Sequence, residues 1–293
     1  MNRRADRIFD GFIIVFAVFV LAICAYPLYF VVIASVSAPE QVMAGKVVLL
    51  PKELTFSVYE YIMDEKRLWM GYRNTIFYTV GSVIFGMALT IPASYALSRK
   101  DLVGRNFIMK FLTFLMFFQG GLIPTYIIVS KLHLVNTPWI LIILNCITVS
   151  NIIVTRTFFM GNIPDELMEA AFLDGCGNIK FFLSVVLPLS KTILAVMILY
   201  IAVWQWNSYF NALIYTTDSG LQPLQLILRD ILIQGQNLTT TDEMDAEAVR
   251  FMMEISQMIK YGVIVVATVP IICAYPFLQK YFEKGVLIGS VKG

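Results

Sequence analysis

Long apolar runs without charge alternate along this chain with shorter polar segments. A helix needs about 20 mostly apolar residues to cross about 30 Å of hydrocarbon at about 1.5 Å per residue. Six runs approach or exceed that length without any Asp, Glu, Lys, Arg or His, and they lie approximately at residues 11–35, 74–98, 111–130, 138–155, 192–216 and 261–279. Strands of a membrane barrel would instead alternate in segments of about 10 residues. The pattern therefore predicts an all-α integral membrane protein with about six transmembrane helices.

The composition supports this class and excludes others. The 293 residues are 58% hydrophobic and 14% charged, whereas soluble domains carry about 25% charged residues. A net charge of +2 is too small to indicate a nucleic-acid partner. The four cysteines show no CxxC spacing, and the single histidine, His133, cannot build a metal site alone. We therefore predict one transmembrane domain over residues 1–293, with no catalytic, cofactor or metal site of its own.

Basic residues are unevenly distributed over the polar segments, and this predicts how the chain is oriented. The N-terminus, the loop after the second run, the loop 156–191 and the tail 280–293 together hold 13 of the 22 Lys and Arg. Because cytoplasmic segments carry the excess of positive charge, both termini are predicted to be cytoplasmic. Segments 36–73 and 217–260 are then external. The second of them is predicted to hold an amphipathic helix along the outer membrane face, from the helical spacing of Leu224, Ile227, Leu228, Ile231 and Leu232.

The loop 156–191, called the docking loop below, has the pattern of a structured element. Asn162 can cap a helix, Pro164 suits its first turn, and the two acids that follow favour the positive end of the helix dipole. Gly175 and Gly177 offer left-handed backbone that ends a helix and turns the chain. A second amphipathic stretch leads to the fifth run. This pattern predicts a short helix, a sharp turn and a surface for a partner protein.

The docking loop also resembles the EAA motif of binding-protein-dependent ABC importer permeases. The resemblance lies in Glu169-Ala170-Ala171, then Gly175 after three residues, then Val185-x-Leu187-Pro188 after nine more, with Val185 where the family has Ile. Residues 284–293 are similar to the glycine-rich tail of the smaller maltose-transporter permease and its relatives. Residues 206–213 are similar to carbohydrate-uptake permeases. Residues 120–124 and 136–139 resemble the branch that handles oligosaccharides from complex polysaccharides.

This resemblance implies a type I ABC importer permease fold in the bacterial cytoplasmic membrane. The chain would be a transport subunit for a carbohydrate, specifically an oligosaccharide, and would form half of the translocation pathway. The partners implied are a second, different permease, two cytoplasmic ATPase subunits, an extracytoplasmic solute-binding protein, the sugar and membrane lipid. The chain has no G-x-x-x-x-G-K-[ST] phosphate loop, so ATP and Mg would be held by the separate ATPase.

The resemblance also implies two groups of functional residues. ATPase docking would involve the motif residues Glu169, Ala170, Ala171, Asp174, Gly175, Leu187 and Pro188, and tail residues Gly289, Ser290, Val291 and Lys292. Sugars are held by hydrogen bonds and by aromatic rings packed on their apolar faces. Candidate residues of a substrate pathway are Asn145, Asn151, Trp204, Gln205, Asn207, Ser208 and Asn211. Polar groups within spans mark either a cavity or hydrogen bonds between helices, and the sequence leaves both alternatives open.

Two other functions are alternatives to this one. A permease of the same type for a non-sugar solute would share the docking loop. An ion-coupled secondary transporter normally places ionisable groups inside the membrane, whereas the six runs contain no Asp, Glu, Lys, Arg or His. The sequence therefore favours an importer driven by an external ATPase.

Overall fold

The computed structural model describes residues 3–118, 120–236, 256–273 and 276, and this part of the chain is almost entirely helical. Its helices in chain order are α1 (Arg3–Ser35), α2 (Pro39–Met43), α3 (Ser57–Asp64), α4 (Lys66–Ser98), α5 (Arg105–Phe117), α6 (Leu122–Lys131), α7 (Pro138–Cys146), α8 (Val149–Asn162), α9 (Asp165–Leu173), α10 (Asn178–Phe181), α11 (Leu187–Leu189), α12 (Lys191–Trp206), α13 (Phe210–Tyr215), α14 (Leu224–Gln236) and α15 (Ser256–Cys273). A π-helical turn, Phe182–Val186, joins α10 to α11, and a 3₁₀ turn, Ser219–Leu221, precedes α14. The predicted all-α class is confirmed.

Within the described part of the chain, three helices are each long and apolar enough to cross a membrane, namely Phe9–Ser35, Lys66–Ser98 and Ser256–Cys273. Three further pairs of helices reach that length together but are bent at a short break, namely α5 with α6, α7 with α8, and Asn178–Leu189 with α12. Counting each bent pair as one span gives six candidate spans in the described residues, in agreement with the predicted number.

α4 begins at Lys66, about two turns before the predicted second span. Residues 66–73 are therefore helical, and their predicted external position stays a prediction. Lys66, Arg67 and Arg73 conceal this start, because a membrane helix can extend beyond the hydrocarbon and carry charges there. Hydropathy detects only the part of a helix that lies in the apolar layer.

The chain divides into two compact units, and the first comprises Met1–Leu68 and Leu228–Pro270. The segment after α1 folds back along that helix, where the Tyr26 hydroxyl donates a hydrogen bond to the Val48 carbonyl at 3.2 Å. The Ser35 and Tyr59 hydroxyls lie 2.6 Å apart. α3 packs closely on α15, because a Cβ placed on Gly262 would lie 2.4 Å from the Val58 side chain.

The second unit comprises Trp69–Ile227 and Ile271–Gly293, and α4 is its central packing partner. Ser82 donates a hydrogen bond to the Ile142 carbonyl at 3.2 Å, and Ser94 donates one to the Ile152 carbonyl at 3.1 Å. Gly86 faces the end of α7. In a membrane the hydrophobic effect does not hold helices together, because lipid tails are as apolar as the side chains. Small residues let the helices approach closely, and the resulting van der Waals contacts stabilise their packing. This close packing fixes α7 and α8 against α4 and positions the breaks described below.

Four hydrogen bonds hold the N-terminal part of α4 to the 3₁₀ turn and to the start of α14. Asn74 donates to the carbonyls of Gly220 at 2.7 Å and Gln222 at 3.1 Å, and Tyr78 donates to that of Leu221 at 2.9 Å. The Leu224 amide donates to the Thr75 hydroxyl at 2.8 Å. The amphipathic helix predicted near this point is confirmed as α14, and its position along the outer membrane face stays a prediction.

Candidate functional site

The fourth span is broken between α7 and α8. Ile147 and Thr148 are extended, and the Thr148 hydroxyl caps α8 by accepting a hydrogen bond from the Asn151 amide at 3.2 Å. Consecutive β-branched residues favour extended backbone, and threonine is a good helix cap. The two helices meet at 45°. The break turns the first residues of α8 toward the fifth span.

The fifth span is also interrupted, which corrects the prediction of one continuous helix over residues 192–216. α12 ends at Trp206, and α13 begins only at Phe210. The Asn207 side chain donates a hydrogen bond to the Val203 carbonyl at 2.8 Å. Asn and Ser side chains compete with the backbone for such bonds and thereby favour helix ends. Trp204 and Asn211 therefore lie on two different helices, α12 and α13.

The two breaks are joined by hydrogen bonds that meet at Asn145. Its side-chain amide donates to the Gln205 side chain at 2.8 Å and to the Ser208 hydroxyl at 3.0 Å. Its oxygen accepts a hydrogen bond from the Asn211 amide at 3.0 Å. Asn145 and Gln205 are both buried. Hydrogen bonding between helices, one of the two alternatives left open by the sequence, is therefore realised at these residues.

An open cavity of about 870 Å³ lies beside this hydrogen-bond network. Trp204 exposes 65% of its surface there, and Tyr200 exposes 54%. Among the described residues, those that line the cavity carry no charge and are Asn145, Thr148, Ser150, Asn151, Leu199, Tyr200, Ile201, Val203, Trp204, Asn207, Ser208, Tyr209, Phe210 and Asn211. Both alternatives for the polar residues are thus realised, because the same spans form the network and the cavity.

The seven candidate pathway residues are brought together by the structure. Six of them line the cavity, whereas Gln205 is buried behind it and holds Asn145. The lining also includes residues that were not predicted, among them Thr148 and Phe210. Thr148 was detectable in principle, because a Thr between β-branched residues and before a new polar helix start is a helix-cap signal. Phe210 carries no such signal, since its place on the cavity depends on the break before α13.

The docking loop contains the predicted short helix, α9, but the helix starts differently. Pro164 is the residue that precedes it, with extended backbone, and Asp165 and Glu166 occupy its first turn. The predicted cap, Asn162, is instead the last residue of α8, and its side chain donates to the Phe158 carbonyl at 2.9 Å. Because proline disfavours helical backbone in the residue before it, α8 must end there.

The turn after α9 depends on one glycine, not two. Gly175 has φ +75°, the left-handed conformation that was predicted. Gly177 has φ −76° and ψ 163°, which any residue adopts, so its predicted left-handed role is wrong. One left-handed residue is enough to end the helix, because the Gly175 and Cys176 amides then donate to the carbonyls of Phe172 and Ala171.

The docking loop has an exposed face and a packed face. None of the residues of α9 is buried, and Leu173 is 90% exposed although it is apolar. Of the motif residues, those exposed are Glu169, Ala170, Asp174, Gly175 and Pro188, while Ala171 and Leu187 are half-buried. The packed face contacts a core cluster that includes Phe159, Phe181 and Val186. The tail residues Gly289, Ser290, Val291 and Lys292 lie outside the described residues.

Known proteins are similar to this chain in sequence over nearly its full length. Residues 68–288 match the family described as "binding-protein-dependent transport system inner membrane component". The chain is 38% identical over 293 residues to the polygalacturonan/rhamnogalacturonan transport system permease protein YtcP of Bacillus subtilis (strain 168), which covers 100% of this chain and 99% of that protein. It is 26% identical over 302 residues to the arabinooligosaccharides transport system permease protein AraQ of Halalkalibacterium halodurans, covering 100% of both.

A solved structure shows the same architecture. A chain of a bacterial ABC transporter involved in the import of the acidic polysaccharide alginate has a TM-score of 0.81 and 32% sequence identity, covering 95% of this chain and 98% of that chain. The residues matched by the family, 68–288, include both broken spans and the docking loop. The chain therefore belongs to the binding-protein-dependent transport system inner membrane components, the permease subunits of ABC importers in the bacterial cytoplasmic membrane.

Proposed function

We propose that this chain is a permease subunit of an ATP-driven importer for oligosaccharides and forms half of the translocation pathway. The observation that carries the proposal is the cavity between the two broken spans, whose described lining combines amides, hydroxyls and aromatic rings without charge. A sugar presents hydroxyl groups around its edge and apolar C–H groups on its faces. Such a lining offers partners to both, and three relatives have names that refer to polysaccharides or oligosaccharides.

Individual residues of the cavity suit different parts of a sugar. The exposed ring of Trp204 can pack on an apolar sugar face, as can that of Tyr200. Asn151, Asn207 and Ser208 can exchange hydrogen bonds with sugar hydroxyls. Asn211 contributes from α13, although its amide is partly used by Asn145. Asn145 and Gln205 position these groups, since Gln205 holds the Asn145 side chain and Asn145 in turn bonds to Ser208 and Asn211.

The ATPase would bind the docking loop and drive transport from there. α9 is a short helix with no buried residue, and the small side chains of Ala170 and Ala171 permit close approach of a partner. Glu169 can pair with a cation of the ATPase, and Leu173 offers an apolar contact. We propose that α9, with Asp174, Gly175, Leu187 and Pro188, docks the ATPase. Further contacts would come from the tail residues Gly289, Ser290, Val291 and Lys292.

The remaining partners follow from this arrangement. A second permease would complete the pathway, two cytoplasmic ATPase subunits would hold ATP and Mg, and a solute-binding protein would deliver the sugar outside. ATP binding and hydrolysis would then shift the spans between an inward-facing and an outward-facing arrangement, because the ATPase contacts the two arrangements differently. The chain itself would perform no catalysis.

The proposal is tested by transport in reconstituted vesicles. The chain, its partner permease, the ATPase and the binding protein are placed in proteoliposomes, and uptake of oligosaccharides from galacturonan, alginate and arabinan is measured. We expect uptake that requires ATP, persists without ion gradients and follows the sugar that loads the binding protein. If a protonophore abolished uptake at constant ATP, the proposal that ATP drives transport would be wrong. Uptake of non-sugar solutes alone would contradict the substrate class.

A further inference from the structure

Arg99, the first residue after α4, carries a guanidinium group that contacts both limbs of the docking loop. Arg99 donates to the Asn178 side chain at 2.7 Å, at the start of α10, and its charge lies 5.7 Å from the centre of the Phe172 ring in α9. It also donates two hydrogen bonds to Asp101 at 2.8 and 2.5 Å. Only 13% of the Arg99 side chain is exposed. One residue thus joins the span to the loop on either side of Gly175.

Aromatic rings pack around the Arg99 contact and restrict movement of the docking loop relative to α4. Tyr95, one turn before Arg99, lies with its ring 5.0 Å from that of Phe182 and 6.0 Å from that of Phe159. Phe172 lies 6.3 Å from Phe181. The loop cannot move away from α4 without separating these rings and breaking the bonds of the guanidinium.

The same helix is fixed at its other end. α4 is continuous over 33 residues, about 50 Å at the helical rise per residue. Its N-terminal part is bound through Asn74, Thr75 and Tyr78 to the segment that leads into α14. Gly71 lies against α14 itself, since a Cβ there would lie 2.7 Å from the Ile227 side chain. α4 therefore connects the docking loop to a polar segment at the opposite end of the same unit.

We infer that Arg99 is a positioning residue that couples the docking loop to α4, so that displacement of the loop moves the helix and the segment bound to its far end. The inference rests on the proposed function, in which an ATPase displaces the loop. A guanidinium suits this role because its planar fork binds Asp101 in two places and still reaches Asn178. An ammonium group on a flexible stem cannot hold all of these partners in one geometry.

A second ionic contact at the same place serves as the matched control. Lys100 donates to the Asp165 carboxylate at 2.6 Å and also joins the end of α4 to α9. The two side chains are 75% and 50% exposed. Exposed ion pairs contribute little, because water and salt screen them. Arg99 itself is only 13% exposed, although its partners Asp101 and Asn178 are exposed. If the more buried cation carries the coupling, Lys100 is dispensable and Arg99 is not.

The test compares Arg99→Ala, Arg99→Lys, Asn178→Ala and Lys100→Ala in the reconstituted importer. The readouts are co-purification of the ATPase, basal ATP hydrolysis, and stimulation of hydrolysis by loaded binding protein. For Arg99→Ala we expect stimulation and uptake to fall by about tenfold, while co-purification and basal hydrolysis persist. Arg99→Lys and Asn178→Ala should be intermediate, and Lys100→Ala should stay within about twofold of the wild type.

The outcomes separate this inference from the proposed function. A wild-type importer without sugar-dependent stimulation or ATP-dependent uptake would refute the proposed function itself. A stimulated wild type with equal stimulation in Arg99→Ala would refute only the coupling role. If Arg99→Ala fails to assemble, Asn178→Ala decides, and undiminished stimulation in that variant overturns the inference. An equal loss in Lys100→Ala would assign the effect to local charge and also overturn it.

Discussion

Gly86 on α4 lies directly against the carbonyl oxygen of Cys146, the last residue of α7, so that a Cβ at Gly86 would stand only 2.2 Å from that oxygen. The same Cβ would lie 2.8 Å from the Ile201 side chain on α12. Three spans therefore meet at one position without a side chain. This close approach places the break between α7 and α8 beside the fifth span, and with it one wall of the cavity.

Replacing Gly86 with Ala is expected to destabilise the protein. Backbone cannot yield as a flexible side chain does, so we expect a loss of about 3 kcal/mol, at the upper end of overpacking costs. The measurement is thermal unfolding of the purified chain in detergent. Gly161→Ala in α8 is the control, since a Cβ there meets nothing within 4 Å. Equal stability of the two variants would show that the packing at Gly86 adapts.

Replacing Asn145 with Ala should also lower stability, because it removes the centre of the network between the broken spans. Gln205 and Asn211 lose a buried partner, at a cost of about 1–3 kcal/mol. Asn207→Ala is the matched control, because among the described residues that side chain bonds to the Val203 carbonyl one turn earlier and not to Asn145. Unfolding midpoints of the two variants are compared. A smaller effect for Asn145 than for Asn207 would argue against the network.

Replacing Trp204 with Ala should weaken sugar binding in the cavity while the fold persists. The apparent KM for uptake is expected to rise by about threefold to tenfold, the value of one aromatic contact. Trp139→Ala is the control, since that ring packs edge-on against Phe85 at 6.4 Å and does not line the cavity. Uptake kinetics are measured over a range of oligosaccharide concentrations. A larger change in the control would place the pathway elsewhere.

Replacing Gly175 with Val should disrupt the docking loop. A β-branched residue in left-handed backbone costs about 1–2 kcal/mol, so recovery of the ATPase with the permease should fall by about tenfold. Gly175→Asn should retain more binding, because Asn tolerates this conformation. Gly177→Val, at φ −76°, should behave as the wild type. If Gly175→Val showed normal ATPase recovery and normal uptake, the left-handed turn would not be required for docking.

The predicted orientation is tested by labelling single cysteines with a membrane-impermeant maleimide. Ser replaces the four native cysteines, and new cysteines replace Ala44 in segment 36–73 and Asp174 in the docking loop, both exposed. The excess of basic residues predicts labelling of position 44 in intact cells and of position 174 only after permeabilisation. The reverse pattern would invert the whole topology, including the side on which the ATPase binds.

Several sequence-based expectations failed at positions where two local signals compete. Asn162 has the residue type of a helix cap, but Pro164 decides where α9 starts because it restricts the residue before it. Gly177 has the freedom for left-handed backbone, but Gly175 already ends the helix. The start of α4 at Lys66 could not be predicted from the apolar run, because the run excludes the charged residues Lys66, Arg67 and Arg73 that are also helical. Such choices depend on neighbours rather than on residue type.

The sequence by itself determined the class of this protein and its docking loop. Charge-free runs of about 20 residues are stable in hydrocarbon only when all backbone groups bond within a helix, so composition alone requires spans. Only the tertiary structure decided where the spans break and what the breaks build. Asn145 and Asn211 are 66 positions apart in the sequence and are joined by one hydrogen bond. Arg99 and Asn178 are 79 positions apart and are also joined by a hydrogen bond. No local pattern encodes these contacts, because they form only when separate helices pack.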